Sequence, residues 1–460
     1  MKGTGIIAGI AAAIVGFQLF VPPIVGLADQ GDFPRMIGRF GYRAEQSGLE
    51  TLYVAPKYVR AAGTRLPDWE QFSSEYAFVL AGIGLNHVVS KDGKLDIQVI
   101  GMIHALAFLG AFWRLLYVTR AVSMRVFVWI AMLIVLTDVA YVAFFNSFFA
   151  EPASLIFFLL LAAESIAMAR ADSPCPNTIL RWTACAVLFV LAKPINAFPG
   201  ILLALFLLRF RHRIARAGCV ALLAAAIFAI ATTPREMRNA NTYNLVFLSV
   251  LPESRNPAAD LQALGLNRRY QDYSHSGAWS AGSPYPELEA RGDIGGTVTL
   301  PRVLGFYLRR PARLWRHIQV TLPYAMYLRS WYGNYEPSSG YPPATLSRAF
   351  SFWSDIHAKI LRHIAKLIFF LLPLPALALA FGWRKRNLAL EMFALLGLCA
   401  LAEFLAADFG DGWDTVKHLL MFNLMVDAFL LGGVAAGCSV LIGHRKTVRV
   451  PVVSRAWAAN

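Results

Sequence analysis

The first long apolar run of the chain ends in the stretch Ala28-Asp29-Gln30-Gly31-Asp32-Phe33-Pro34-Arg35. That run, about residues 5–27, is long enough to cross the hydrocarbon core of a bilayer, which takes about 20 helical residues. Two carboxylates and an arginine therefore stand where a hydrophobic segment meets water. The stretch predicts a membrane protein with ionisable groups at the membrane boundary.

The composition of the whole chain points to the same class. Hydrophobic residues make up 57% of the 460 residues and charged residues 15%, and the mean hydropathy is +0.51. Soluble domains carry roughly 25% charged residues, so this composition excludes an ordinary soluble protein. The apolar stretches lack the alternation of membrane-barrel strands. The sequence predicts an all-α membrane protein, a multi-span helical bundle.

The positive charge of the chain lies in short clusters that follow apolar runs. The formal net charge is +15, and the clusters include Arg209–Arg213, Arg384–Arg386 and His444–Lys446. Such loops are typical of the cytoplasmic side of a membrane protein. The distribution favours membrane orientation over a nucleic-acid-binding patch, and we expect no nucleic-acid partner.

Counting apolar segments gives about ten transmembrane helices, with both termini in the cytoplasm. The N-terminal transmembrane core occupies residues 1–231 and includes a first outer loop at 28–95. A mixed outer domain follows at 232–358, and residues 359–460 hold the C-terminal helices and a basic cytoplasmic tail. The short basic loops then share one face and the two long polar segments share the other, although the span assignment did not require this.

Two apolar segments leave alternatives open. Small residues at Gly26 and Ala28 also fit a cleaved signal peptide, but the length of the first run favours a retained anchor. The span that begins after Arg181 is interrupted at Lys193-Pro194 and predicts two short helices with a bend at the outer side. Broken helices are tolerated where protein or a wet cavity satisfies the freed backbone groups.

Three helices are expected in the polar segments. Residues 76–89 form a moderately amphipathic piece that fits the membrane interface. A short helix is expected at 257–264 and a longer one at 301–320, which mixes apolar side chains with arginines. The longer helix fits either a membrane surface or an ordinary soluble cap domain.

Metal and disulfide signals are weak in this sequence. The five cysteines lie in predicted spans or a cytoplasmic loop and form no Cys-x-x-Cys pattern, so neither a disulfide framework nor a metal site is indicated. The acidic turn Asp408–Asp414 offers oxygen ligands for a divalent metal, but its spacing matches no calcium loop and a solvated turn is favoured. We expect no cofactor that the sequence itself supports.

Ionisable residues from distant parts of the chain are predicted to meet at the outer membrane boundary. Such a boundary site would suit transfer of a sugar from a polyprenyl-linked phosphate to a hydroxyl. The attacking hydroxyl needs a carboxylate within about 2.6–3.2 Å to take its proton. A leaving phosphate needs cations, and aromatic side chains stack on sugar rings. The candidate acids or bases are Asp32, Asp29 and Glu151; the candidate substrate-binding residues are Arg35, Lys193, Lys417, His418, Trp331, Tyr332 and Tyr335.

Several of these residues also have a structural interpretation. Asp29 fits a helix cap or the end of a span, and Asp32 precedes Phe33-Pro34, as an N-cap does. Glu151 also precedes a proline and fits a helix start. Lys193 lies deep for a solvated lysine, which favours a functional role.

Further ionisable residues fall inside predicted spans, where an unpaired charge costs roughly 2.5–3.5 kcal/mol or more. We expect these side chains to face the bundle interior or a cavity, and His104 to be a satisfied interior histidine. The acids concerned are Asp138, Glu164, Glu391, Glu403 and Asp427.

The layout resembles the GT-C class of integral membrane glycosyltransferases, and within it the uncharacterised bacterial members. The matching features are Gly31–Arg35, Phe149–Pro152, the Lys193-Pro194 break and Lys417-His418. The resemblance is clearest over residues 1–230. The two loop acids, which are adjacent in some members, are separated here by Gln30-Gly31.

The resemblance implies an inverting transferase that takes a sugar from a polyprenyl-phosphate donor, with Asp32 as general base. The acceptor would be a cell-surface glycan, lipid or protein on the outer face of the bacterial inner membrane. The alternative is a transporter or flippase of a lipid-linked glycan precursor, which predicts midplane charges and related halves. Glu403, Asp427 and the broken helix favour this alternative, whereas the long outer segment and the lack of an internal repeat do not.

Overall fold

The structure is a computed structural model that describes residues 2–46, 48–61, 72–122, 124–171, 174–381 and 387–447. Within these ranges, seven helices are long and apolar enough to cross a membrane. An eighth span results if the bent pair Arg125–Leu136 and Val139–Phe145 counts as one. The protein is therefore a multi-span helical membrane protein.

Helices dominate the first half of the chain, up to residue 231. They are α1 (Lys2–Phe20), α2 (Phe33–Met36), α3 (Tyr76–Val89), α4 (Ile97–Thr119), α5 (Arg125–Leu136), α6 (Val139–Val142), α7 (Glu151–Ala169), α8 (Pro176–Val190), α9 (Ala197–Leu207) and α10 (Arg213–Ala231). The first polar segment adds an antiparallel sheet of three short strands in the order β1 (Tyr42–Ala44), β2 (Lys57–Arg60) and β3 (Leu95–Asp96). The sheet and α3 pack beside the start of α4.

The second half contains shorter helices followed by the last spans. The polar segment holds α11 (Arg235–Asn244), α12 (Pro257–Leu264), α13 (Tyr285–Ala290), α14 (Leu300–Leu308), α15 (Pro311–Ala325) and α16 (Phe352–Lys359). The C-terminal part holds α17 (Ala365–Leu371), α18 (Leu374–Ala380), α19 (Leu388–Gly410), α20 (Thr415–His418) and α21 (Leu420–Thr447). Turns of 3-10 helix cover Gly38–Phe40, Ala143–Phe145, Pro194–Asn196, Arg268–Tyr273, Pro337–Ser339 and Leu361–Ile364, and a π-helix covers Leu245–Val250.

The first span is shorter than its apolar run predicts. Helix α1 ends at Phe20, although the run continues to Leu27, because the next residues are Val21-Pro22-Pro23. A proline disfavours helical backbone at the residue before it. The residues after the two prolines are extended instead and lie buried inside the protein.

This extended segment pairs with a distant part of the chain. The Gly26 N–H donates to the Asn334 carbonyl (3.0 Å), and the Ala28 N–H donates to the Gly333 carbonyl (2.9 Å). A Cβ at Gly26 would lie 2.7 Å from the Asn146 carbonyl oxygen, so only glycine fits there without a shift. The pairing places the stretch that follows α1 beside the Trp331-Tyr332 segment.

Two other spans are broken. Helices α5 and α6 meet at a bend of 51°, where Asp138 caps α6 by accepting from the Ala140 N–H (2.9 Å). Helices α8 and α9 have 15 and 11 residues and flank the Lys193-Pro194 break, as predicted. By length and composition the described residues contain seven or eight spans, which is roughly consistent with the ten or so predicted for the chain.

The amphipathic helices differ in one respect from the prediction. Helices α3 and α12 have the predicted bounds, but the helix expected over residues 301–320 is divided into α14 and α15. Pro311 is the first residue of α15, and its ring disfavours helical backbone at Arg310. Arg310 indeed has φ −135° and ψ 68°.

Most of the acids inside spans have partners. Glu164 pairs with Arg114 (2.8 Å) and Arg181 (3.1 Å), and Glu391 pairs with Arg209. The Glu403 carboxyl is fully buried, and its two oxygens have no hydrogen-bond partner among the described residues. His104 is a satisfied interior histidine, since its ring contacts Glu75 (2.6 Å) and the Phe145 carbonyl (2.8 Å).

One end of the bundle gathers the loops that carry the candidate residues. Gln98 in the first turn of α4 donates to the Leu19 carbonyl at the end of α1 (3.2 Å), so these two helix ends are adjacent. Asn146, just before α7, donates to the same carbonyl (3.1 Å). We call this end, where α1 ends and α4 and α7 begin, the loop end.

Candidate active site

Asp32 and Asp29 have different local roles at the loop end. Asp29 is buried, and its Oδ1 accepts from the N–H groups of Gly31 (2.7 Å) and Phe33 (3.1 Å). Asp32 occupies the N-cap position of α2 but makes no capping hydrogen bond. Asp32 thus holds the predicted N-cap position without its side chain capping α2, and its carboxylate contacts other side chains instead.

Those other side chains are cations. Arg35 Nη1 donates to Asp32 Oδ1 (2.8 Å), and Lys417 Nζ donates to Asp32 Oδ2 (2.6 Å). The Asp32 side chain is 31% exposed, whereas that of Lys417 is only 6% exposed. A solvent-accessible carboxylate is thus held against a buried ammonium from a segment nearly 400 residues away.

Lys417 is the centre of the arrangement. Its ammonium also lies 2.9 Å from Asp414 Oδ2 and above the rings of Phe149 and Tyr332, at 4.9 and 5.7 Å from their centroids. The Tyr332 hydroxyl donates to Asp414. One lysine therefore bridges the first outer loop of the sequence and the acidic turn before α21.

A second ion pair lies next to this bridge. Glu151, the first residue of α7, accepts from Lys193 Nζ (2.6 Å), and both side chains are mostly buried. The Glu151 charge also acts on Lys417 and contributes to the raised pKa of that ammonium. The two pairs therefore form one group, which we call the ionic cluster: Arg35, Asp32, Lys417, Asp414, Glu151 and Lys193.

The charges of the ionic cluster determine its protonation. Burial by itself would raise the pKa of Asp32, but Lys417 and Arg35 outweigh it and hold that pKa well below its usual range. Burial would lower the pKa of Lys417, but Asp32 and Asp414 raise it well above its usual value. Burial raises the pKa of Asp29, and the backbone hydrogen bonds from Phe33 and Gly31 oppose this only in part. At neutral pH, Asp32 is a carboxylate and Lys417 an ammonium.

The remaining predicted residues lie at different distances from the cluster. His418 is near enough for its charge to lower the pKa of Asp32, but its Nε2 faces Asp411 at 3.5 Å. The Trp331 ring contacts Tyr332, with centroids 5.2 Å apart, and is 55% exposed. The Tyr335 ring is buried and stacks on Tyr341, with centroids 4.3 Å apart, so its face is covered by another residue.

The structure also adds a residue that sequence reasoning left out, since Glu75 lies behind Glu151. It further shows that Asp414, which the sequence placed in the acidic turn, shares Lys417 with Asp32. Glu75 is fully buried, pairs with His104 and accepts from the Ala153 N–H (3.0 Å) in the first turn of α7. The only sequence signal for Glu75 was an acid directly before an apolar helix, which is also a common capping pattern.

The described residues give no support for a metal in the acidic turn. No group of three or more His, Cys, Asp or Glu side chains among them is arranged to hold a metal ion. Asp411 accepts instead from Asn244 and from the Trp413 N–H, each at 2.9 Å. Asp414 is occupied by Lys417 and Tyr332.

Comparison with known proteins identifies the family. One family model, described as the YfdI N-terminal transmembrane domain, matches residues 3–446. The chain belongs to the YfdI family. This match supports the predicted resemblance, since the YfdI domain is a GT-C-like membrane glycosyltransferase family. No curated protein matches the chain.

Among solved structures, the YfdI-type chain is similar to the archaeal oligosaccharyltransferase AglB from Archaeoglobus fulgidus, in complex with an inhibitory peptide and a dolichol-phosphate. The sequence identity is 11% and the TM-score is 0.41. The similarity covers 97% of this chain and 52% of AglB. The chain thus spans about half the length of that protein.

Proposed function

We propose that this protein is a membrane glycosyltransferase. It transfers a sugar from a polyprenyl-phosphate donor to a cell-surface glycan, lipid or protein, with inversion and with Asp32 as general base. The observation that carries the proposal is the ionic cluster itself, in which an exposed, ionised carboxylate and two or more cations meet at one end of a membrane bundle. Transfer of a sugar from a lipid phosphate needs a carboxylate as base and cations for the leaving phosphate, both at the membrane boundary.

Asp32 has the properties that a base needs before the reaction. It is ionised at neutral pH because its pKa is held low, and its partly exposed carboxylate is accessible to an acceptor hydroxyl. A base must come within about 2.6–3.2 Å of the hydroxyl whose proton it takes. Asp29 lacks this freedom, because its Oδ1 is used by backbone N–H groups, and we assign it the role of positioning the Asp32 turn.

The cations next to Asp32 suit the leaving phosphate. Arg35 offers bidentate geometry and Lys417 a point charge, and Lys193 extends the positive group towards Glu151. A phosphate that binds these cations weakens their hold on Asp32, so the pKa of Asp32 rises towards its usual range. Donor binding would thus convert a passive ion-pair partner into a stronger base.

The membrane orientation supports an outer active site. The loop between α9 and α10, which leads away from the Lys193 break, contains the basic cluster Arg209–Arg213. Basic loops are retained on the cytoplasmic side, so the ionic cluster at the other end faces outward. We infer a bacterial inner-membrane protein with cytoplasmic termini.

Transfer from a defined polyprenyl-phosphate sugar tests the proposal. Asp32→Asn should lower transfer by about 10²–10⁴-fold, the range of a general base, with unchanged membrane insertion. Asp29→Asn is the matched control, because asparagine also accepts hydrogen bonds as a cap, and it should retain most activity.

Normal transfer by Asp32→Asn would overturn the assignment of the base. Movement of the lipid-linked sugar across sealed vesicles without an acceptor, at equal rates in wild type and Asp32→Asn, would favour a transporter instead. A panel of labelled donor sugars in the same assay identifies the sugar. Varying glycan, lipid and peptide acceptors identifies the acceptor class.

A further inference from the structure

An open pocket of about 210 Å³ adjoins the ionic cluster. Helix α15 contributes Val320, Thr321 and Tyr324 to one wall, and the residues around the start of α20 contribute the other. Trp331 completes the lining. None of these α15 residues takes part in the ion pairs described above, so the pocket is a separate feature beside them.

Two aromatic side chains of the pocket are unusually accessible. Tyr324 is 58% exposed and Trp331 is 55% exposed, although both belong to a segment that is otherwise largely buried. Exposed aromatic rings present a flat apolar face together with a polar edge. Such faces are where a ligand with its own flat apolar side would pack.

The rest of the lining is mixed, since Val320 and Val416 are apolar and Thr321, Asp414 and Thr415 are polar. Asp414 and Thr415 begin α20, and Thr321 faces them from α15. The Asp414 carboxylate is already held by Lys417 and Tyr332, so the polar groups left for a ligand are the hydroxyls of Thr321 and Thr415. A hydrocarbon chain would cover these hydroxyls without hydrogen-bonding to them, which is unfavourable. A sugar ring has both an apolar C–H face for the aromatics and hydroxyls for the polar groups.

Lys417 sets the distance between this pocket and the proposed base. Its ammonium touches Asp414 in the pocket lining at 2.9 Å and Asp32 at 2.6 Å. A ring in the pocket therefore lies next to Asp414, which shares Lys417 with Asp32. Arg35 contacts the other carboxylate oxygen of Asp32. The donor phosphate can therefore approach from the Arg35 side while a sugar occupies the pocket.

We propose that this pocket binds one sugar ring of the acceptor, with Trp331 as its stacking platform and Tyr324 as its second wall. The acceptor is then a glycan or glycolipid rather than a bare peptide. That the bound sugar is the acceptor rests on the proposed function, whereas binding of a sugar does not. The competing occupant is the isoprenoid chain of the donor.

The test is a binding measurement on the full chain in lipid nanodiscs. Saturation-transfer NMR with a panel of methyl glycosides identifies a bound saccharide, and farnesyl phosphate serves as the isoprenoid probe. Trp331→Ala should weaken the bound glycoside about tenfold, because loss of an aromatic anchor costs more than about 1 kcal/mol. Trp331→Phe, which keeps a stacking face, should restore most of the affinity.

Controls separate the pocket from the fold and from catalysis. Trp113 is 46% exposed on α4, toward the end of that helix far from the loop end, and Trp113→Ala should leave binding unchanged. Tyr324→Ala is the second pocket variant and should also weaken the glycoside. The same measurements in the Asp32→Asn protein should give the same affinities, since binding needs no transfer.

Two outcomes overturn the inference. If no glycoside binds in a Trp331-dependent way, the pocket is not a sugar site. If Trp331→Ala weakens farnesyl phosphate and leaves glycosides unaffected, the pocket holds the isoprenoid chain. Glycoside binding in a protein that transfers no sugar from any donor would leave this inference standing and contradict the proposed function.

Discussion

Two carboxylates join the last helices to distant parts of the chain in contrasting ways. Asp427, inside α21, is 1% exposed and accepts from Tyr141 Oη, Trp353 Nε1 and His357 Nε2, each at 2.8 Å. Asp32 is partly exposed and contacts two cations. Both bridge sequence-distant segments, but only Asp32 is accessible to a substrate.

The contrast separates a structural carboxylate from the proposed base. A buried charge is tolerated when hydrogen bonds surround it, and the three donors around Asp427 do this completely without leaving room for a ligand. This contact accounts for an acid that, from sequence, favoured a transporter. At Asp32, two cations contact one carboxylate, so either of them can turn to an anionic substrate without leaving Asp32 unpaired.

Of the substitutions that test this comparison, Lys417→Gln should have the largest effect, which is on turnover. It removes the cation that Asp32 and the proposed phosphate share, and loss of one such stabilising group costs about 10²–10³-fold in turnover. Transfer kinetics with a lipid-linked donor measure the loss. Lys359→Gln is the control, because Lys359 is 74% exposed and, among the described residues, its ion pair is with Asp355 of its own helix. Full turnover by Lys417→Gln would make the ionic cluster structural, like the Asp427 site.

Asp427→Ala should act on stability rather than on turnover. Removing one partner of a buried pair costs about 3–5 kcal/mol, and here three donors lose their acceptor. Denaturant unfolding in detergent should show the loss, while transfer per folded molecule stays near wild type. Asp355→Ala removes a half-exposed carboxylate of α16 and should change neither. A variant that is stable but inactive would place Asp427 in the reaction.

His317 provides an intermediate case with a smaller effect. It is buried like Asp427 but flanked by two acids, Glu253 at 2.8 Å and Asp408 at 3.1 Å. Burial would lower the pKa of His317, but hydrogen bonds and charges of Asp408 and Glu253 raise it to about 10. The charged histidine links α15 to α19.

A raised histidine pKa stabilises the folded protein below the pKa of the unfolded chain. That stability is lost as the pH rises from about 6.5 to about 10. The melting temperature of the wild type should therefore fall across this interval, and His317→Gln should flatten the slope. His87→Gln, at an exposed position, should retain the wild-type slope. A parallel slope in His317→Gln would assign the pH dependence to other groups.

The sequence predicted the membrane architecture and the break at Lys193-Pro194 but missed other helix interruptions. Whether an apolar run spans the membrane depends on its free energy of transfer to lipid, which is a sum over many residues. The end of α1 at Phe20 and the division between α14 and α15 depend instead on single prolines. A proline disfavours helical backbone at the residue before it. Predicting the break correctly requires giving that local effect more weight than the apolar pattern.

The candidate site was predictable as a set of residues but not as contacts. Topology alone brought Asp32, Glu151, Lys193 and Lys417 to one depth. In sequence, Asp29 and Asp32 fit the role of a cap for α2 equally well. Only the local geometry shows that the Asp29 side chain accepts from the backbone of this turn and that the Asp32 side chain does not. The burial of Tyr335 follows from long-range pairing, which no periodicity encodes.

The pairing of Gly26 and Ala28 with Gly333 and Asn334 has a consequence for how the family can diversify. It is made largely by backbone groups, which every residue except proline carries in the same form. Side chains of the Trp331 segment can therefore change to suit another sugar while the segment stays aligned with Asp32. In the proposed enzyme, acceptor preference can thus change without any change in the turn that holds Asp32.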